Sequence, residues 1–236
     1  MKRLLIGLVV LAALIVAADR GGLWLAERVA TDRARAQGLG GAMVDVRGGL
    51  FLRQLASRDL REVVVTGDAY RTEPGDPAVE GEGPGWIELT GVRVLARGVS
   101  IDSRRDFTAS ELTVDGVVPY AAVSAAAGSG TEVTAAADGQ VQVRRSVMMF
   151  GRSLKVRTLA DVSARQGQVL VRPTEASVEG AGRLGELATD AVLPMVTLRY
   201  PVPGLPEGLV LTEAVPTADG LAVVLTGRAV SLTDLG

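Results

Sequence analysis

Apolar and polar residues alternate along this chain in short runs, and glycine, proline and acidic residues break the runs apart. Strict alternation over roughly four to eight residues predicts half-buried strands. The first two are Val44–Arg47 and Val63–Val65. From Trp86 to Ile101, Ile87 and Leu89 share one face. Val92, Val94 and Ala96 follow after Gly91, so a bulge at Gly91 is expected to switch the register. Phe107–Val118 alternates again. Glu132–Ala136 and Gln140–Arg145 flank Asp138-Gly139, a hairpin signal, and Leu154–Ala164 and Gln168–Arg172 flank Gln166-Gly167. Met195–Val202, Leu209–Ala214 and Leu221–Leu232 complete the series. Pro203–Gly208 reads as a rigid turn and Asp219-Gly220 as a tight one.

Helical spacing is rarer. From Leu23 to about Gln37, Leu23, Ala26, Ala30 and Ala34 fall on one stripe, which predicts close packing against a sheet. Pro119–Val123 suits a short helix with proline in its first turn. Gly185–Leu193 suits another, stopped by Pro194. Arg71–Gly85, rich in proline, glycine and acid, reads as a solvated loop. The expected fold class is α+β, mostly antiparallel β, without a fixed-period repeat.

Two connectors break the rule that links between strands are polar. Leu50-Phe51-Leu52, with Leu55 close behind, follows Gly48-Gly49. Val147-Met148-Met149-Phe150 lies between two hairpins, and Met is the adaptable side chain of promiscuous apolar surfaces. Each either folds back onto the core or meets something other than water. For the second, an ordinary buried strand is the plain alternative.

The N-terminus starts Met1-Lys2-Arg3 and runs on as Leu4–Ala18 without an ionisable group. This is shorter than the ~20 residues that span a bilayer core. It suits a signal-peptide core, with Val16-Ala17-Ala18 as a cleavage site. Apolar character resumes at Gly21–Leu25, and Trp24 suits a membrane interface. The expected anchor residues are Leu4, Leu5, Ile6, Leu8, Val9, Val10, Leu11, Leu14, Ile15, Val16 and Trp24. Residues 1–22 then form a signal-anchor and residues 23–236 one β-rich domain. The domain is extracytoplasmic, single-pass or secreted to the envelope after cleavage.

Composition narrows the chemistry. The 236 residues carry a net charge of −2 and no cysteine or histidine. Nucleic acid is therefore not an expected partner. Disulfides and thiolate metal sites are impossible, and the commonest general base and metal ligand is missing. Gly180–Gly185 matches the G-x-G-x-x-G spacing, but the helix after it is short and the neighbouring strands read as hairpin partners, so no dinucleotide site is expected. The carboxylates Glu73, Asp76, Glu80 and Glu82 match no calcium loop. No cofactor, metal or catalytic residue is expected, and the chain reads as not an enzyme. A carboxylate-based hydrolase is the least favoured alternative.

Three stretches carry a family resemblance. They are Val44-Asp45-Val46-Arg47-Gly48-Gly49-Leu50-Phe51-Leu52-Arg53-Gln54-Leu55, Thr113-Val114-Asp115-Gly116-Val117-Val118-Pro119-Tyr120, and Leu205–Leu232 with Asp219-Gly220-Leu221 inside it. With the N-terminal anchor and short helix, their order resembles the actinobacterial lipomannan elongation factor A-like envelope family, which binds phospholipid. Gly49-Leu50 departs from the family's aromatic residue and proline. The resemblance implies a tubular lipid-binding (TULIP-like) fold, a curved antiparallel sheet wrapped around a helix with an apolar groove. It implies non-enzymatic binding, with or without transfer, of phospholipid or another membrane lipid at the outer face of the cell membrane, in support of envelope lipoglycan assembly. On that reading Leu50, Phe51, Leu52, Leu55, Met148, Met149 and Phe150 contact lipid. The alternative is a membrane-anchored scaffold without a ligand.

Overall fold

The alternating runs become strands that pair antiparallel throughout. A computed structural model of the chain describes residues 21, 24–32, 34–35, 39–49, 51–71, 88–101, 107–149, 152–178, 198–201 and 208–231. Among these, strands β1 (Leu39–Gly40), β2 (Met43–Arg47), β3 (Asp59–Arg71), β4 (Glu88–Ile101), β5 (Phe107–Pro119), β11 (Leu209–Pro216) and β12 (Gly220–Ser231) form a seven-stranded sheet. Its order is β1-β3-β4-β5-β12-β11, with β2 on β3 beside β1. A five-stranded sheet takes β6 (Thr131–Ala135), β7 (Val141–Met149), β8 (Arg152–Arg165), β9 (Gln168–Val178) and β10 (Leu198–Pro201), in the order β10-β9-β8-β7-β6.

The mostly antiparallel β class is therefore present. In place of a single curved sheet wrapped around a helix there are two uncurled sheets. The physical reason lies at Pro119, the last residue of β5 to pair, whose φ of −59° leads directly into a helix. That helix, Tyr120–Ala126, buries only Ala122 fully and carries the chain from the large sheet to the small one. The strands that follow find partners locally. Asp138-Gly139 sits in the β6–β7 connection, and Gln166-Gly167 closes β8 onto β9 with φ of 53° and 75°, the left-handed pair of a tight hairpin.

One core holds the two sheets together. Ala96, Val99, Ala109, Leu112, Leu211, Leu225 and Val230 of the large sheet cluster with Val133, Val141 and Ala160 of the small one. The expected bulge is present: β4 carries one extra residue against β5 between Thr90 and Arg93, at Gly91.

Helix α1 covers residues 24–32 and 34–35, within the predicted span. Ala26, Ala30 and Ala34 are partly buried, and Ala34 packs on Leu39, Ala42 and Val92. The small-residue stripe thus faces the sheet as expected. The first twenty residues, including the expected anchor Leu4–Val16, lie outside the described residues, as do residues 72–87, where a solvated loop is expected, and the 179–197 stretch with its glycine motif and predicted helix. Among the described residues no helix is long and apolar enough to cross a membrane.

Candidate functional site

The first apolar connector is a helix, not a turn. β2 and β3 pair with each other from Met43↔Thr66 to Arg47↔Glu62, and α2 (Phe51–Ser57) spans the gap between them. A helix this short is not stable by propensity alone, so tertiary contacts must hold it. Gln54 supplies one. It is 7% exposed, and its Oε1 accepts the Arg61 N–H at 2.9 Å. Phe51, Leu52 and Leu55 all lie on α2; their side chains, and Leu50 entirely, lie outside the described residues.

The hydrogen bond to Arg61 marks a crease across the large sheet. Arg61 falls opposite Gly98 yet neither joins the ladder; Gly98 falls opposite Ser110, and Ser110 opposite Ala229, with the same result. Gly98 and Ala229 are left-handed, with φ of 56° and 51°. A Cβ on Gly98 would stand 2.8 Å from Ser110 Oγ, the hydroxyl that donates to Gly98 O at 3.0 Å. Inward residues change parity across this row: Leu60 and Val63, Ala96 and Val99, Ala109 and Leu112 all face the same core. The unpaired residues match one for one, so the register is kept while the inward face of each strand changes. Here the swap runs in line through four strands, and α2 is pinned at its start.

The second connector belongs to the other sheet. Met148 and Met149 end β7, in register with Ser153 and Arg152 of β8. Their side chains, and Phe150 as a whole, lie outside the described residues. The two predicted clusters therefore sit on different sheets, α2 on the large and the β7–β8 hairpin on the small.

Trp24 is the one expected anchor residue among the described ones. It is 58% exposed, on a helix face that also exposes Leu25 and Val29 beside Met43. The Arg28 guanidinium lies 5.2 Å from the centre of its ring. Two polar side chains on the same side of α1 as Trp24, three and seven residues further on, do structural work. Thr31 Oγ1 accepts the Val44 N–H at 3.2 Å and Glu27 Oε1 accepts the Val46 N–H at 3.1 Å. β2 is an edge strand, and these two side chains, one helical turn apart, cover its free donors.

Around the shared core a set of apolar side chains is only partly buried. Leu60, Val63, Val94, Phe107 and Val114 of the large sheet, and Val143, Val162, Val169 and Val171 of the small one, pack on the shared core while remaining partly exposed. Two concavities lie elsewhere. One, about 580 Å³, is polar and lined by Asp161, Arg165, Gln168 and Arg172 on the β8–β9 hairpin. The other, about 520 Å³, runs along α1 past Trp24, Glu27, Arg28 and Met43. No group of three or more metal-ligating residues occurs among the described residues.

Sequence reasoning did not single out Gln54, Glu27, Thr31 or Tyr120. The Tyr120 hydroxyl donates to Thr217 O at 2.8 Å, across 97 residues. Burial raises its pKa above the ordinary 10.0, and the hydrogen bond to Thr217 works in the opposite direction. Gln54 and Tyr120 both stand inside the quoted stretches, Leu50–Leu55 and Thr113–Tyr120. That was the available signal, and in both cases the residue turns out to secure the fold.

A family profile described as LmeA-like phospholipid-binding matches residues 17–226, most of the chain. No curated protein and no solved structure matches it.

Proposed function

The chain belongs to the LmeA-like phospholipid-binding family, and from that membership we infer that it binds phospholipid without catalysing a reaction. We place the binding at the outer face of the cell membrane, with residues 4–16 as anchor, Trp24 at the interface and residues 23–236 as the lipid-binding body. Leu50, Phe51, Leu52 and Leu55 contact acyl chains from the large sheet, and Met148, Met149 and Phe150 do so from the small one. Lipid held here is available for transfer and supports envelope lipoglycan assembly.

The observation that supports this reading is the set of apolar side chains around the shared core that stay partly exposed. Phe107, Val114, Val162 and Val171 are all packed on the core yet partly open. Acyl chains need apolar surface, and no reactive group beside it. Burial of apolar area drives their binding at roughly 25 cal/mol per Å².

Phe51→Asp tests the assignment. Purified from membranes in full length, the variant is expected to carry less phospholipid than the parent by lipid extraction and mass spectrometry, with an unchanged thermal midpoint. If the variant unfolds, Phe51 is core and the site assignment fails. A parent chain free of phospholipid that also takes up none from vesicles supports the ligand-free scaffold instead.

A further inference from the structure

We propose that the first two turns of α1 lie in the headgroup layer of a phospholipid bilayer, with Trp24, Leu25 and Val29 against the upper acyl carbons and Arg28 on the phosphates, while the third turn stands in water. The proposal rests on the membrane placement given above. It adds the surface that meets the lipid, beyond Trp24, and the direction in which the helix leaves it.

Three observations carry it. First, exposed apolar side chains concentrate on one part of this helix. Six large ones are exposed among the described residues, and Trp24, Leu25 and Val29 are three of them, at 58%, 58% and 49%. At roughly 3.6 residues per turn, Trp24, Leu25, Arg28 and Val29 fill the arc opposite Ala26, Ala30 and Ala34, the stripe that faces the sheet. The same arc changes character in the third turn, where it presents Asp32 and Arg35, both exposed and 3.8 Å apart. From Leu25 to Asp32 the helix rises about 10 Å, comparable to the depth at which an interfacial helix buries its apolar side. Met43 is level with the third turn through the Val44–Thr31 hydrogen bond and stays in water with it.

Second, Arg28 is placed as a headgroup cation. Its guanidinium lies 5.2 Å from the centre of the Trp24 ring. Among the described residues no carboxylate pairs with it, and Asp32, one turn on, is engaged by Arg35. An arginine that runs along apolar surface and keeps its charge uncompensated suits lipid phosphate at the edge of the hydrocarbon. The helix presents this arc from a fixed position. Glu27 and Thr31 bind the Val46 and Val44 amides at 3.1 and 3.2 Å, and Ala34 packs on Leu39, Ala42 and Val92. Contact of α1 with a bilayer therefore also sets how the β2 edge of the large sheet stands above it.

Third, the preceding sequence delivers this arc to a bilayer. Leu4–Ala18 has no ionisable group, and Trp24 follows it by six residues. Six residue steps span at most about 20 Å, so an anchor at Leu4–Ala18 keeps the first turn of α1 close to the membrane surface. Docking is then intramolecular, and a small apolar patch is enough. A second copy of the chain is the poorer occupant. Three side chains, each about half exposed, present far less than the roughly 800 Å² per partner of a stable protein interface.

The chain has no cysteine, so a single fluorophore can be placed on the full-length protein in phosphatidylcholine vesicles that carry a nitroxide quencher at headgroup level. A label at Val29→Cys is expected to be quenched by the nitroxide lipid and shielded from iodide in the water. Labels at Asp32→Cys, on the third turn, and at Ala137→Cys, exposed beside the small sheet, are expected to show the reverse. Trp86→Phe leaves Trp24 as the only tryptophan. In that background Leu25→Ser/Val29→Ser is expected to shift the Trp24 emission to the red and to lower its quenching, whereas Leu25→Ile/Val29→Ile keeps both. An iodide-accessible Val29 label on protein that floats with the vesicles would overturn the proposal, as would equal lipid quenching at Asp32. Ready disulfide crosslinking of unlabelled Val29→Cys between copies would overturn it too, in favour of a second chain on this face. Protein that does not float with the vesicles removes the membrane placement and the docking together. Phospholipid bound per chain, measured on the same samples, shows in each case whether lipid binding stands without them.

Discussion

Two polar contacts fix single points on which the rest of the sheet depends. Gln54 is one of only two buried polar side chains among the described residues, and it satisfies a backbone donor at a crease where the ladder cannot. Leaving a buried N–H unsatisfied costs about 1–3 kcal/mol. Gln54→Leu keeps most of the volume and removes the acceptor, so a loss of that size is expected in urea unfolding. An unchanged midpoint would show that Arg61 finds another partner. The Tyr120 hydroxyl ties the start of its helix to the β11–β12 turn. Tyr120→Phe is expected to cost about 1 kcal/mol at neutral pH. The folded phenol holds its proton more tightly than the unfolded one, because burial raises its pKa. The unfolded state therefore loses a proton first, and this contribution to stability, whole below pH 10.0, declines as pH rises through the folded value. The alkaline decline in thermal midpoint should be shallower in Tyr120→Phe; equal slopes would contradict the linkage.

Most strands were legible because period-two alternation and turn chemistry agree. Gln166-Gly167, Asp138-Gly139 and Gly91 each do what the residue types predict, and β5 ends one residue beyond its expected limit. The helical state of Phe51–Ser57 was not legible. Seven residues give too little periodicity to distinguish a helix from an apolar turn, and what holds α2 is a hydrogen bond to a residue across a turn. The edge cover of β2 was invisible for a similar reason. Glu27 and Thr31 look like ordinary polar positions of an amphipathic helix, and only the strand beside them gives them a task. Glu27→Ala should speed amide exchange at Val46, and Thr31→Val at Val44, without changing the amides of β3. No local acceleration would mean that these bonds do not protect the edge. The β5–β12 pairing offers a harsher test. A Cβ on Gly220 would meet Val118 O at van der Waals overlap. Gly220→Ala is expected to cost roughly 1–3 kcal/mol as overpacking, read as a lower thermal midpoint.

For the molecule as a whole, local pairing signals were enough to name the strands but not to divide them between sheets. Pro119 and the helix after it redirect the chain, and the five strands of the small sheet then close on one another. The small size of the inward residues matters more than their number. Alanine, valine and leucine make a shared core in which Leu112 and Val230 are the largest fully buried side chains. Larger apolar side chains such as Phe107 and Tyr120 stay partly open around it. The proposed lipid binding draws on that partly open apolar surface together with the composition and the family. The most direct measurement is phospholipid phosphorus per chain, made on the full-length protein stripped of lipid in detergent and then re-equilibrated with phospholipid vesicles. The account predicts that the stripped chain regains phospholipid to a fixed, saturating ratio. A chain that remains free of phosphorus while staying folded would contradict it.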